Sequence, residues 1–158
     1  MDIAQTVHDE GQEQRFRLEF AGRASIEQAK LIRKLLKETD KNDHTRRAQL
    51  HSKLSAALYR TERKAALAAA QSAVDEAAKT DDDVAEAWAL LAQCAVDLSP
   101  ARTQYRLTST RRIREIAMKY ETTSFFEPAF FMLLGALLEL GKINELDLEL
   151  STHGPTLS

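Results

Sequence analysis

The sequence predicts an all-α protein built from antiparallel helix hairpins. Over most of its length apolar residues recur at intervals of three and four, which is the periodicity of one helix face. Five glycines and three prolines in 158 residues are fewer than the turns of a β-rich fold normally need. The polar breaks between periodic segments are short, so neighbouring helices are expected to be antiparallel.

The N-terminal region is expected to contain a disordered leader and then two helices. Residues 1–11 are polar and predicted to be disordered. The pattern over residues 12–21 also fits strand alternation, but a short helix ending at Gly22 is favoured. Ser25 and Gln28 form a capping box that opens a clearer helix. Its apolar stripe is Ala29, Ile32, Leu35 and Leu36.

Residues 46–79 give the clearest hairpin of the chain. The three residues 61–63 separate its two helices, and the second helix is rich in alanine. A hairpin of this kind cannot cover its own apolar face and needs similar hairpins beside it. The two predicted stripes are Leu50, Leu54, Ala57 and Leu58, and then Leu67, Ala70, Val74 and Ala77.

Two longer helices are predicted next. Three aspartates, residues 81–83, suit the start of the fourth helix because negative charge stabilises that end of the helix dipole. Trp88 is expected to lie on the buried face of this helix, which Leu98 closes. Ser99 and Pro100 suit the N-cap and first position of a fifth helix, which ends at Tyr120. The predicted stripes are Val84, Ala87, Trp88, Leu91 and Ala95, and then Tyr105, Ser109, Ile113, Ile116 and Tyr120.

The C-terminal region predicts one strongly apolar helix and one short helix. Ser124 and Glu127 form a second capping box, and Gly141 ends the apolar helix. Residues 12–151 are therefore predicted to form one helical-repeat domain, followed by a tail at 152–158. The stripe of the apolar helix is Phe126, Phe130, Leu133, Leu137 and Leu140, and that of the last is Ile143, Leu146 and Leu150.

Composition favours a soluble cytoplasmic protein. Hydrophobic residues make up 44% of the chain and charged residues 29%, and the formal net charge is −2. The most apolar window, residues 125–140, is shorter than the ~20 residues of a membrane span, so no membrane partner is expected. Cys94 is alone, which fits a reducing compartment, and it is expected to be an inert core thiol.

No residue pattern points to catalysis, a metal or a cofactor. His8, His44, His51 and His153 are scattered and are expected at the surface. A cation at residues 81–83 is less favoured than a charge cluster at a helix start. The prediction is therefore a protein that is not an enzyme and carries no cofactor.

Two surfaces are candidates for binding. The basic helix offers a partner surface at Arg102, Arg106, Arg111, Arg114 and Lys119, with Arg112 beside them. The alternative is a solvated face, partly paired through Arg111–Glu115 and Glu115–Lys119. The apolar helix has more apolar residues than one stripe needs, which predicts a homodimer. Its proposed self-association surface is Phe125, Phe131, Leu134 and Leu138.

The hairpins resemble tetratricopeptide repeats. Trp88, Leu91 and Ala92 reproduce the opening Trp-x-x-Leu-Gly of that repeat with alanine for glycine. Equivalent leucines at positions 54, 91 and 133 are spaced by 37 and 42 residues, longer than the 34 of the standard repeat. The resemblance implies a right-handed array of about four hairpins whose concave face binds a protein or peptide.

A second resemblance covers roughly residues 15–150. Residues 47–60 and 64–67, with Leu137 to Gly141, resemble the helical-repeat region of large bacterial ATP-dependent transcriptional regulators, which are signal-transducing NTPases. The sequence has no Gly-x-x-x-x-Gly-Lys phosphate loop and no evident DNA-reading helix-turn-helix, so ATPase activity and DNA binding are not implied. The resemblance implies the sensor or coupling array of such a regulator. The alternatives are a nucleic-acid contact through the basic helix 102–119, which is not favoured, and binding of a small effector.

Overall fold

The computed structural model describes residues 25–121 and 126–153, and every regular element in these ranges is helical. The predicted all-α class is therefore confirmed for the described part of the chain. The N-terminal 24 residues, Ser124, Phe125 and the end of the tail lie outside it. The elements are α1 (residues 25–38), α2 (His44–Leu58), α3 (Arg63–Ala77), α4 (Asp83–Val96), a 3-10 turn (Pro100–Arg102), α5 (Thr103–Lys119), α6 (Phe126–Glu139) and α7 (Ile143–His153).

Aspartate side chains cap the starts of two helices. The Asp43 carboxylate accepts a hydrogen bond of 3.1 Å from the Arg46 backbone N–H at the start of α2. At α4, one carboxylate oxygen of Asp82 accepts bonds of 3.0 Å from the N–H groups of Val84 and Ala85. These bonds satisfy donors that have no partner within the helix, and the negative charge suits the dipole there.

Gly141 ends α6 as predicted. Its φ of +67° lies in the left-handed region, which costs glycine little. The N–H of Lys142 donates to the Leu137 carbonyl at 2.9 Å, and the N–H of Gly141 donates to the Leu138 carbonyl at 3.0 Å. This pair of bonds is the Schellman arrangement, which turns the chain back so that α7 can pack against the preceding helices.

The apolar core is a series of overlapping clusters along the chain. The first joins α1, α2 and α3 with Val96 of α4, and the second joins α2, α3 and α4. The third joins α4, α5 and α6, and the fourth joins α5, α6 and α7. Each helix is therefore stabilised mainly by elements near it in sequence, as in a repeat array. Helix α4 contributes to three clusters.

The stripes predicted for α1, α2 and α6 are largely confirmed. Ile32, Leu54, Leu58, Phe130, Leu133 and Leu137 are all buried. In α3 the alanines are the most buried residues, including Ala66, Ala70 and Ala73. Small side chains on α3 allow α2 and α4 to approach it closely. Among the described helices, none combines the length and the apolar character needed to cross a bilayer.

The stripe predicted for α4 is buried at Ala87 and Leu91, but the prediction is wrong at Trp88. Its side chain is 39% exposed, and Leu98, predicted to close the stripe, is 53% exposed. Helix α4 turns alanines toward α2 and α3, with Ala85 and Ala89 each 1% exposed. Because α4 packs through small residues on that side, the bulky indole lies at the margin of the α2–α4 contact. Tyr120, predicted in the α5 stripe, is also exposed.

Candidate interaction surfaces

An apolar groove runs between α2 and α4 and has Trp88 in its wall. Its volume is about 540 Å³. The side chains from α2 are mostly polar, whereas those from α4 are all uncharged. The lining residues are Gln49, Ser52, Lys53 and Ala56 of α2, with Val84, Trp88, Leu91, Ala92 and Ala95 of α4.

The exposed face of α2 adds positive charge along this groove. Arg46 and Lys53 are seven residues apart, so they share one side of the helix, and Arg60 follows seven residues later. All three are exposed. Within the described part of the chain no carboxylate lies within 4 Å of any of them. Arg46 and Lys53 of α2, with Arg60 in the turn after it, are therefore cations without a neighbouring carboxylate among the described residues.

A second cavity, of about 420 Å³, lies on the other side of α4 and is acidic. Asp81, Asp82, Asp83 and Glu86 line it together with Arg112. Asp82 is occupied as the cap of α4, and the described residues contain no group of three or more metal-ligating side chains. Asp83 follows as the first residue of α4.

Asp83 is also held by two cations of α5. Lys119 Nζ lies 2.6 Å from Asp83 Oδ2, and Arg112 lies 3.2 Å from the other oxygen. The hydrogen bond from Lys119, with the added charge of Arg112, lowers the pKa of Asp83 below its usual value. These contacts fasten the start of α4 to the end of α5.

The structure pairs the cations of α5 with acids of neighbouring elements. Glu115 pairs with Arg112 at 3.7 Å, rather than serving the pairs predicted with Arg111 and Lys119. Because these pairs bridge α5 to α4, α6 and α7, the charges serve contacts within the fold. The pairs are Arg102–Asp97 (3.4 Å), Arg106–Glu139 (2.5 Å), Arg111–Glu145 (2.5 Å), Arg112–Glu86 (2.8 Å), Arg114–Glu149 (2.5 Å) and Lys119–Asp83 (2.6 Å).

Arg106 is the most deeply buried member of the predicted partner surface. Its side chain is 3% exposed. The guanidinium donates to the carbonyls of Asp97 and Ser99 at 3.2 and 2.9 Å, and to Thr103 Oγ1 at 3.0 Å. Together with the ion pair to Glu139, these bonds tie the α4–α5 connection to the end of α6. A residue held in this way is not available to a partner.

The self-association surface predicted on α6 is partly exposed. Phe131 is 59% and Leu138 is 61% exposed, whereas Leu134 is half-buried. Phe125, the fourth residue of that surface, lies outside the described residues. Helix α7 adds Leu148, which is 65% exposed. The end of the array thus presents apolar side chains to solvent.

The lone cysteine lies in the core. Cys94 is 1% exposed, and burial raises the pKa of its thiol to about 11, although a hydrogen bond with Ser109 opposes the shift. A thiol with this pKa is almost entirely protonated at neutral pH and is therefore a poor nucleophile. This agrees with the sequence-based expectation for Cys94.

The two described histidines with resolved side chains are half-buried, although the sequence analysis placed them at the surface. His44 Nδ1 lies 2.7 Å from Glu76 Oε2 and so links α2 to α3. Burial alone would raise the pKa of Glu76, but hydrogen bonds with His44 and Lys79 outweigh it and lower the pKa. The pKa of His51 is lowered by burial and by the nearby charge of Arg47.

A buried polar chain inside the array was missed by the sequence analysis. Gln93 is 6% exposed; its amide donates to Gln71 of α3 at 2.7 Å, and it accepts a hydrogen bond from the Tyr105 hydroxyl. The guanidinium of Arg102 stacks over the Tyr105 ring at 4.1 Å. A lone glutamine within the alanine-rich α4 was the available signal, because a buried amide needs partners.

Comparison with known proteins gave no relatives. No family model matches the sequence, and neither a curated protein nor a solved structure matches the chain.

Proposed function

We propose that this chain is a non-catalytic interaction module whose α2–α4 groove binds a segment of another protein. The observation that carries the proposal is Trp88, a large aromatic side chain 39% exposed in the wall of an apolar groove. Exposed tryptophan is uncommon on protein surfaces and enriched where partners bind. The groove is lined by residues from two helices, α2 and α4.

We further propose that the helices form a tetratricopeptide-like right-handed array of about four hairpins. Support comes from the overlapping clusters, which involve helices close in sequence, and from the side-by-side packing of α2 and α4. In such an array the first helices of successive hairpins line one face. The groove lies on this kind of surface, between α2 and α4.

A coupling role in a bacterial signalling or transcription regulator remains our proposal for its biological setting. It is supported by the resemblance of residues 47–60 to the repeat region of signal-transducing NTPases. The buried thiol of Cys94 suits the reducing cytoplasm. No cofactor is required for this function, because binding alone would transmit the signal.

Peptide display against the purified protein tests the proposed function. Enriched peptides should bind wild type, and Trp88→Ala should weaken their binding about tenfold, in keeping with the loss of an aromatic anchor. Leu31→Ala is the matched control, because Leu31 is 58% exposed on α1 and does not line the groove. Peptides that bind both variants equally, or no enriched peptides at all, would refute the proposal.

A small effector is the second candidate, because 540 Å³ falls within the range of small-molecule pockets. It would occupy the same groove as a peptide. A screen of apolar compounds that follows Trp88 fluorescence would therefore distinguish a small effector from a peptide ligand. Nucleic-acid binding through α5 is not favoured, because its cations are engaged by acids of the fold.

We also propose that two copies associate through α6 and α7. The support is the exposure of Phe131 and Leu138, beside exposed Leu148. Light scattering over a concentration series should show a dimer for wild type and a monomer for Phe131→Glu with Leu138→Glu. Leu31→Glu, an equal charge change on α1, should leave the dimer intact. A wild type that stays monomeric at high micromolar concentration would disprove association.

A further inference from the structure

We propose that the partner segment of the α2–α4 groove is acidic and carries a large apolar side chain. This inference rests on the proposed function and specifies the chemistry of the partner. It follows from the two unlike walls of the groove, one apolar and one bordered by cations.

The α4 wall selects the apolar side chain. Its lining residues are apolar, and Ala92 and Ala95 are small. A leucine or phenylalanine in the groove would contact this apolar lining. Such contacts contribute through the apolar area they remove from water.

The α2 wall selects carboxylates. Lys53 lines the groove itself, and its long aliphatic stem can follow the apolar surface while its ammonium stays at the rim. Arg46 lies on the same side of α2 as Lys53, and Arg60 lies in the turn that follows the helix. Since no described carboxylate lies within 4 Å of these three cations, an acidic partner would meet charge that the fold leaves unneutralised.

The contrast with α5 explains why α2 is the charged binding surface. The cations of α5 hold neighbouring elements together through pairs such as Arg114–Glu149, so an acidic ligand would have to displace an existing carboxylate. At Arg46 and Lys53 no described carboxylate within 4 Å would have to be displaced. The acids Asp81 to Asp83 line the other cavity and not this groove.

Three synthetic peptides test the inference by titration against the emission of Trp88, the only tryptophan of the chain. The first alternates glutamate pairs with leucines, the second has lysine for glutamate, and the third has alanine for leucine. Each peptide is acetylated at its N-terminus and amidated at its C-terminus. Any effect of negative charge on binding must therefore come from side-chain carboxylates and not from a terminal carboxylate. Each is titrated at low and at physiological salt.

The charge-reversal variant is Lys53→Glu, and its matched control is Lys64→Glu. Lys64 is exposed on α3, does not line the groove and has no described carboxylate within 4 Å. The acidic apolar peptide should shift Trp88 emission and bind about tenfold more weakly to Lys53→Glu, because attraction becomes repulsion. Lys64→Glu should stay within about twofold of wild type, as an exposed substitution remote from the groove should.

Two results would overturn the inference. If the lysine peptide binds wild type as tightly as the acidic one, or if Lys53→Glu binds the acidic peptide unchanged, charge does not select the partner. In either case, the proposed function would still hold if peptide display yields peptides whose binding is weakened by Trp88→Ala. If display also yields no peptide sensitive to Trp88→Ala, the proposed function fails with the inference.

Discussion

Replacing Arg106 with methionine should destabilise the fold far more than the same change at a neighbouring arginine of α5. Methionine keeps an unbranched apolar chain of similar reach in the buried space but removes the guanidinium. The carbonyls of Asp97 and Ser99 then lose a charged donor, and Glu139 loses its ion pair. The control is Arg111→Met, which removes the pair with Glu145.

The expected magnitude follows from burial. Hydrogen bonds to a charged group contribute roughly 1.5–3 kcal/mol each, but Ser99 is exposed and water can partly replace the donor there. Glu139 is 50% exposed and regains solvation, so its loss adds little. We expect a total of about 3 kcal/mol for Arg106→Met. Arg111 and Glu145 are 42% and 44% exposed, so solvent screens their pair and its loss should cost much less.

Urea denaturation followed by circular dichroism at 222 nm measures both free energies of unfolding. A loss of about 3 kcal/mol corresponds to a fall in Tm of roughly 6–12 °C for a chain of this length. The reasoning is refuted if Arg106→Met unfolds within about 1 kcal/mol of wild type, or if Arg111→Met is as costly. Either outcome would mean that the buried guanidinium does not hold the α4–α6 junction.

Three further predictions concern single side chains. Iodide should quench the fluorescence of Trp88 in the native state, and resistance to iodide would contradict its exposure. Trp88→Ala should lower the free energy of unfolding by about 1–2 kcal/mol, less than the loss of a fully buried tryptophan. The lowered pKa of Glu76 adds stability at neutral pH that disappears as pH falls through that pKa, below 4.5. The Tm of Glu76→Gln should therefore lie below wild type at neutral pH and converge with it in acid, and a pH-independent difference would exclude the linkage. Cys94 should resist iodoacetamide at about pH 8 until urea unfolds the chain, and rapid labelling of the native protein would show an accessible thiolate.

Local signals in the sequence were sufficient for most helix boundaries and for several buried faces. The stop at Gly141 and the start of α4 depend on a left-handed glycine and a capping aspartate, both of which act within one helical turn. The stripe of α6 is also correct at Phe130, Leu133 and Leu137, because one apolar face has to meet the preceding hairpin.

For the basic helix, the sequence did not predict the partners of its charged side chains. Sequence alone could find Arg102 to Lys119 as a charge cluster, but it could not assign carboxylates that lie 26 to 36 residues away, such as Glu86, Glu149 and Asp83. Those partners depend on how α4 and α7 pack against α5. The sequence also could not show that Arg46 and Lys53 have no described carboxylate within 4 Å, because that depends on which elements pack beside α2.

The sequence by itself determined the helical class, the hairpin order and the residues able to cap or end a helix, because these depend on neighbours three or four positions away. Only the tertiary structure decided that Trp88 is exposed, although Ala87 and Leu91 of the same predicted stripe are buried. An alanine-rich helix offers small residues on several sides, so periodicity does not choose among them. The close approach of α3 to the face with Ala85 and Ala89 makes that choice and leaves Trp88 in the groove.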